Sequence, residues 1–309
     1  MRRLAKVENL SREEWLKIRR KGIGGSDIAA ICELSNYKSP LWVYLDKKGL
    51  LPKDDEENIA AELGLELEDF LSRKFVQRIK KNEGIDIDLK KMPWILQHDT
   101  IDYFLVNLDR FFKHPEKGWC VVEEKTTTEF KRDAWKDDEV PDNYYAQVQW
   151  QLYITGWHWG YLIYLIGNRT VDIKLIERNE KVIKELVDKG KDFQINFIEK
   201  NIPPAPIGLD SDDEAIKILY PNEVPKSGLK LSGEAEARII LMANIIDKQK
   251  VILKTATKEK DRAGQIIKAE IGDNERMIAG DRIVTYKTVS KETYTVKASK
   301  HRKLHIGKK

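Results

Sequence analysis

A change of hydrophobic period along the chain constrains the fold more than any other feature of the sequence. Apolar residues recur at helical spacing over 56–82, whereas 102–108 and 119–123 are short runs rich in β-forming residues. A helical pattern at 141–155 and a hairpin pattern at 161–176 follow. Helices on both sides of a few strands predict an α/β (α+β) fold, with a small mixed central sheet flanked by helices in a core of about 200 residues.

The N-terminal segment predicts two helices joined by a glycine-rich turn. Ser11 is the expected N-cap of the first helix, because its hydroxyl can accept from a free amide of the first turn. Three glycines lie within 22–25, and the second helix is expected to start at Ile28 with Ser26 or Asp27 as its cap. Such a turn lets the backbone approach a ligand closely.

The C-terminal part predicts a separate extension. One long helix is expected over 234–271, with a loose apolar period that favours a docking helix or a helical hairpin over a strict coiled coil. Short strands are expected at 283–289 and 294–296. The tail 281–309 has nine Lys/Arg against two acidic residues, a pattern of polyanion-binding tails and also of solvated lysine-rich surfaces. The predicted domains are 1–208 as the main domain, 209–230 as a linker with a short helix, and 231–309 as the extension.

Composition excludes several classes of protein. The chain has 309 residues, of which 41% are hydrophobic, so it has enough apolar material for a core and is not disordered throughout. No apolar run is long enough for a membrane span, and the N-terminus does not read as a signal segment, so a cytoplasmic protein without membrane association is expected. Cys32 and Cys120 are the two cysteines, too few for a disulfide framework or an iron–sulfur site.

The residues that carry chemistry lie at the ends of the first two predicted strands. Asp109 ends one, and Glu123, Glu124 and Lys125 end the next. Side chains alternate along a strand, so Glu123 and Lys125 share a face while Glu124 points away. Carboxylates with a lysine can hold Mg²⁺ and act on a phosphate. Taken alone, the pattern is more often a pair of surface carboxylates with a salt-bridging lysine.

Further motifs surround this pattern in a fixed order. Glu68 lies in Gly-Leu-Glu-Leu-Glu on a predicted helix, Gln147 opens Gln-Val-Gln on another, and Arg19 precedes the glycine-rich turn at 22–25. The ordered set resembles the YqaJ-like viral recombinase family, which includes phage lambda exonuclease, over about residues 10–200. That family has the PD-(D/E)xK nuclease superfold, so the resemblance implies a restriction-endonuclease-like core with a C-terminal helical and short β extension.

The resemblance also implies roles for individual residues. The catalytic residues would be Lys125, Gln147, Glu123 and Asp109. The metal ligands would be Glu68, Asp109, Glu123 and the backbone carbonyl of Glu124. A pocket for a terminal 5′-phosphate would contain Trp15, Arg19 and Ser26.

Two features of this sequence leave alternatives open within the resemblance. The family usually has glycine after the aspartate, whereas Arg110 follows Asp109 here, so Arg110 is expected to contact DNA instead. Glu66 and Glu124 would replace Glu68 and Glu123 as ligands if the register were shifted.

The implied function is that of a Mg²⁺-dependent DNA nuclease, with Mn²⁺ able to substitute. The expected reaction is 5′–3′ degradation of one strand of double-stranded DNA, which leaves a 3′ single-stranded tail for a RecT-like annealing protein. The resemblance also implies a homo-oligomer in the form of a trimeric ring and a bacterial host cell. The alternatives are an endonuclease of the same fold and, from another class, a non-catalytic DNA-binding scaffold.

Overall fold

The computed structural model divides the chain into two compact units, residues 1–219 and 220–309. It describes residues 1–52, 59–135, 139–225 and 228–289. The helices are α1 (Arg12–Arg20), α2 (Gly25–Ile31), α3 (Pro40–Lys47), α4 (Ile59–Glu83), α5 (Asp142–Thr155), α6 (Glu180–Phe193), α7 (Asp210–Leu219) and α8 (Gly233–Ile271). The strands are β1 (Arg2–Lys6), β2 (Lys90–Lys91), β3 (Trp94–Gln97), β4 (Leu105–Val106), β5 (Arg110–His114), β6 (Gly118–Thr127), β7 (Trp159–Ile166), β8 (Thr170–Glu177), β9 (Arg276–Ala279) and β10 (Arg282–Thr285).

A five-stranded mixed sheet forms the centre of the first unit, in the order β2-β5-β6-β7-β8. Only β6 and β7 are parallel, and α5 makes the crossover between them. The other neighbours are antiparallel. A second sheet of the first unit has the order β1-β3-β4. The mixed sheet with helices on both faces confirms the predicted fold class.

Each face of the central sheet has its own apolar core. On one face, Phe75 of α4 meets Phe112 and Tyr161 edge-on, with ring centroids 5.6 and 5.4 Å apart. On the other face, α2, α5 and α6 bury residues such as Trp150 against Leu162. Strand alternation sends successive residues of β6 into these two cores, which fixes what each face can hold.

Local sequence signals predicted most helices of the first unit. Ser11 caps α1, with Glu14 completing a capping box. The helix expected over 56–82 is continuous through Gly64. The start of α2 differs from expectation, because the N-cap is Gly24 and the Asp27 carboxylate accepts from its backbone N–H at 2.8 Å. Ser26 and Asp27 therefore lie inside the first turn.

The strand before β6 was predicted wrongly. The run 102–108 contains only the two-residue β4, which pairs with β3 in the smaller sheet. The antiparallel neighbour of β6 is β5, which begins directly after Asp109. Asp109 thus precedes a strand of the central sheet instead of ending one.

The helix expected in the linker is α7, and it belongs to the first unit. Its Ser211 hydroxyl accepts from the backbone N–H of Ser39 at 3.0 Å, next to the start of α3. The short helix is therefore packed on the core.

The second unit contains α8 and the β9–β10 hairpin. The expected helix over 234–271 is one continuous helix of 39 residues. Part of the expected strand 283–289 is β10, while 294–296 and most of the basic tail lie outside the described residues. Across the described ranges, none of the helices has both the length and the apolar character that crossing a membrane needs.

Candidate active site

The central strand β6 presents carboxylates to both faces of the sheet. Glu123 and Lys125 lie on the face of α5 and form an ion pair there. Glu124 lies on the face of α4, where its carboxylate accepts from the Ser72 hydroxyl at 2.6 Å. Strand alternation predicts this separation, and it gives the two neighbouring glutamates different surroundings.

The Glu123 carboxylate is 1% exposed and is surrounded by hydrogen-bond donors. Lys125 and the side-chain amide of Gln147 donate to Oε1, and the amide of Gln151 donates to Oε2 at 2.5 Å. Burial and the nearby charge of Asp109 raise the pKa of Glu123 to about 7. Burial disfavours the Lys125 charge, but Glu123 and Asp109 together raise its pKa above the ordinary value.

Asp109 lies close to both Glu123 and Glu124, on either side of β6. Its Oδ2 accepts from the backbone N–H of Glu124 at 2.9 Å, which fixes the side chain against β6. Its charge acts on both Glu123 and Glu124, raising the pKa of each. Although its strand assignment was wrong, the structure brings Asp109 next to Glu123 as predicted.

Glu68 joins this arrangement from α4 through Arg110. Its Oε2 lies 3.3 Å from Nη1 of Arg110, and Glu68 is half-buried whereas Glu66 is exposed. Glu68 therefore lies with Arg110 and Glu124 on the α4 face of the sheet, while Glu66 is exposed.

Arg110 does not extend outward to DNA as expected. It is 5% exposed, donates to Ser72 at 2.8 Å and pairs with Asp69 at 3.0 Å. Its Nη2 also lies 3.8 Å from Glu124. Arg110 is the first residue of β5 and its side chain lies on the face of α4, where it pairs with the buried Glu124, the half-buried Glu68 and the exposed Asp69.

Trp15, Arg19 and Ser26 come together at the glycine-rich turn. The Arg19 guanidinium stacks on the Trp15 ring at 4.7 Å and donates to the Ser26 hydroxyl at 3.3 Å. A Cβ on Gly25 would lie 2.9 Å from Cγ of Gln147, so the start of α2 packs directly against α5. The group that resembles a phosphate pocket is thereby connected to the residues around Glu123.

A second buried carboxylate fixes the turn itself. Asp27 accepts from Lys47 at 2.6 Å, and that lysine also donates to the backbone carbonyl of Arg19 at 3.1 Å. Burial alone would raise the pKa of Asp27, but Lys47 and Arg19 lower it to about 2. The carboxylate is therefore ionised at neutral pH and holds α1, α2 and α3 together.

Comparison with known proteins identifies the family. Residues 14–158 match the model of the YqaJ-like viral recombinase domain. The chain is 31% identical over 288 residues to the uncharacterized protein YqaJ of Bacillus subtilis (strain 168), covering 93% of this chain and 86% of that protein. This chain belongs to the YqaJ-like viral recombinase family.

Solved structures similar to this YqaJ-like chain include two exonucleases. LHK-Exo, an alkaline exonuclease from Laribacter hongkongensis, is 18% identical, with 62% of this chain and 94% of that chain covered at a TM-score of 0.46. Its complex with dAMP gives a TM-score of 0.48 at 19% identity and the same coverage. A phage-related exonuclease from Haemophilus somnus 129PT is 15% identical, with 58% and 96% covered and a TM-score of 0.38.

Sequence reasoning missed several residues of the site in this YqaJ-like chain. Gln151 is 1% exposed and lies one helical turn after Gln147, so both amides reach Glu123. The signal was present, since glutamines at i and i+4 share a helix face. Ser72 and Lys47 had no such signal, because their partners are 52 and 20 residues away along the chain.

The donor atoms suit a hard divalent cation. Glu123 supplies carboxylate oxygens from β6 and Asp109 from the residue before the neighbouring strand β5, and oxygen ligands are those that Mg²⁺ and Mn²⁺ prefer. Within the described part of the chain, however, no three His, Cys, Asp or Glu side chains form a ready cluster for an ion. Asp109 and Glu123 fit as ligands, and the remaining positions need Glu68, the Glu124 carbonyl, water or the substrate.

Proposed function

We propose that this YqaJ-like chain is a metal-dependent deoxyribonuclease that degrades one strand of duplex DNA from a 5′ end. The observation that carries the proposal is the buried Glu123 with Lys125, Gln147 and Asp109 around it, packed against the turn that holds Arg19 and Ser26. The match of residues 14–158 to the YqaJ-like viral recombinase domain supports a role in DNA recombination.

The site residues would have two roles: some would bind the cation, and others would position the attacking water and the phosphate. Asp109 and Glu123 would hold a divalent cation together with Glu68 and the Glu124 carbonyl. When bound, that cation would supply positive charge to stabilise the charge that develops on the scissile phosphate. Lys125, which lies 5.5 Å from the Tyr144 ring, would orient the attacking water and the phosphate. The neutral Gln147 amide would position the phosphate without competing for the cation.

The 5′ end would be recognised at the glycine-rich turn. Arg19 is held in place by Trp15 and Ser26, so little side-chain entropy is lost when its guanidinium binds a terminal phosphate. The remaining strand would carry a 3′ single-stranded tail, on which a RecT-like annealing protein would load.

A test of the reaction uses end-labelled linear duplexes, with 5′-phosphate or 5′-hydroxyl ends, and a circular duplex. Digestion is expected with Mg²⁺ or Mn²⁺ and not with EDTA, faster on the 5′-phosphate and absent on the circle. Arg19→Ala should remove the preference for the phosphate. The matched control is Arg12→Ala, an exposed arginine that begins the same helix, and it should keep the preference. Equal cleavage of linear and circular DNA would favour an endonuclease, and no metal-dependent cleavage at all would favour a DNA-binding scaffold.

A further inference from the structure

The long helix α8 carries an apolar surface that the proposed reaction does not use. Ile239, Leu253 and Ile267 are 52%, 68% and 42% exposed along its 39 residues. Exposed apolar residues spread along one helix indicate a surface for association. The spacing of these residues determines which kind of partner fits.

Part of the apolar pattern of α8 fits a seven-residue repeat, although the overall period is loose and Ile240, Leu241 and Val251 lie outside the repeat. The first core position, a, is occupied by Ile239, Ile246, Leu253, Lys260 and Ile267, and the second, d, by Met242, Gln249, Ala256, Ala263 and Glu270. Ile245, Ile252 and Ile266 lie beside this seam. A seven-residue repeat keeps one seam facing a partner helix, here over 32 residues or about 48 Å at 1.5 Å per residue.

A parallel pairing of two such helices would pack poorly. It sets each a position against itself and each d position against itself. Lys260 would then meet Lys260 of the other copy, and two like charges would share an apolar seam. Ala256 and Ala263 would each meet another alanine, which leaves unfilled space in the core of the pair.

An antiparallel pairing removes the Lys260–Lys260 and the alanine–alanine contacts. It sets a positions against d positions, and a register centred between Lys254 and Thr255 places Leu253 and Ile246 opposite alanines. The pairs are Leu253 with Ala256, Ile246 with Ala263, Ile267 with Met242, and Lys260 with Gln249. The fifth pair, at both ends of the seam, is Ile239 with Glu270, whose carboxylate falls beside Arg238 of the other copy and so has an opposite charge next to it.

We propose that α8 of two copies of this chain pair antiparallel over residues 239–270. The self-matching register favours a second copy over an unrelated protein, because one sequence supplies both halves of every pair. Lys260 and Gln249 meet in the same layer, and such a polar layer is a common way of fixing register. The proposal concerns the second unit and is independent of the proposed reaction.

Cross-linking of the full-length chain tests the direction of pairing. Ile246→Cys and Ala263→Cys proteins are prepared separately, oxidised mildly alone and as a mixture, and compared with the wild type, which retains Cys32 and Cys120. A covalent dimer is expected in the mixture only. Dimers in each single variant would show parallel pairing, and no dimer in the mixture would show that another protein or surface occupies α8. Either result overturns the proposal.

Sedimentation velocity of the full-length chain tests the seam itself. Leu253→Glu should weaken self-association by at least about tenfold, because it puts a carboxylate opposite Ala256. Val251→Glu is the matched control, an exposed apolar residue two positions away and outside the seam, and it should associate as the wild type does. Far-UV circular dichroism checks that each variant keeps its helix content. Equal association of all three proteins would overturn the proposal, whereas a trimer formed through the first unit would survive Leu253→Glu.

Discussion

Two neighbouring glutamates lie on opposite faces of β6. Their side chains are equally buried, but the groups that contact them differ. Burial raises the pKa of Glu123 and of Glu124 to about 7. Glu123 is surrounded by Lys125 and neutral amides, whereas Glu124 has Ser72 and Arg110, which also pairs with Asp69 and Glu68. On the Glu124 face the nearby cation is Arg110, whose Nη2 lies 3.8 Å from Oε2 of Glu124, and within the described residues that buried oxygen accepts no hydrogen bond. On the Glu123 face Lys125 is the cation, and both carboxylate oxygens accept hydrogen bonds from side chains.

The largest expected effect is a loss of cleavage when a carboxylate on the Glu123 face of β6 is replaced. Glu123→Gln or Asp109→Asn should abolish metal-dependent cleavage, a loss on the order of several kcal/mol in transition-state stabilisation, because each removes a cation ligand. Turnover on a labelled duplex measures it, with thermal unfolding to confirm the fold. Glu66→Gln, an exposed glutamate on α4, is the control and should keep full turnover. Cleavage by both site variants, or loss with Glu66→Gln alone, would contradict the comparison.

Substitutions on the Glu124 face of β6 should lower the stability of the protein. Arg110→Ala leaves the buried Glu124 and the half-buried Glu68 without their cation, so the free energy of unfolding should fall by about 3–5 kcal/mol. Urea unfolding gives the value. Arg78→Ala on α4 is the matched control, since its side chain is 41% exposed and pairs with Asp172 at 3.7 Å; about 1 kcal/mol or less is expected. Equal losses in the two variants would mean that Arg110 is not a structural cation.

Gln147 should affect rate with little effect on affinity. Gln147→Ala removes one neutral donor from Glu123, so turnover should fall about 10–100-fold, equivalent to roughly 1.4–2.8 kcal/mol, while the DNA dissociation constant changes little. Single-turnover kinetics and gel shifts separate the two quantities. A loss confined to binding would place Gln147 in DNA attachment instead.

Asp27 is a buried carboxylate whose pKa is lowered, in contrast to the raised pKa values of Glu123 and Glu124. Its pKa is lowered to about 2 in the fold, so it stabilises the protein above the unfolded value near 4, and that stability is lost as pH falls from about 4 to 2. The groups facing it are Lys47 and Arg19. Asp27→Asn should cost about 2 kcal/mol at pH 7 and flatten the pH dependence of unfolding in that window. An unchanged profile would contradict the pairing.

Local signals in the sequence predicted individual helices and hairpins. They failed where a residue's position depends on partners that are distant along the chain. The cap at Ser11, the apolar period of α4 and the β7–β8 hairpin were all predictable from neighbouring residues. The pairing of 102–108 was wrong because a strand pattern does not state which strand lies beside it.

The site was predictable to the same extent. The alternation of Glu123 and Lys125 is local, and the structure places both on one face. The position of Arg110 depends on where β5 starts, and that strand was missed. Gln151 became evident once α5 was set against β6, because its partner Glu123 is 28 residues away.

The missing side chain of Gly25 has a consequence for product size. Because α2 packs on Gln147 with no side chain between them, the separation between the Arg19 turn and Glu123 is set by backbone packing. Under the proposed reaction this separation acts as a ruler between the terminal phosphate and the bond that is cut. Gly25→Ala would put a Cβ 2.9 Å from Cγ of Gln147, and the shift that relieves this contact is much smaller than the step from one nucleotide to the next. The variant should therefore slow cleavage, while the released fragment, read at single-nucleotide resolution, keeps its length.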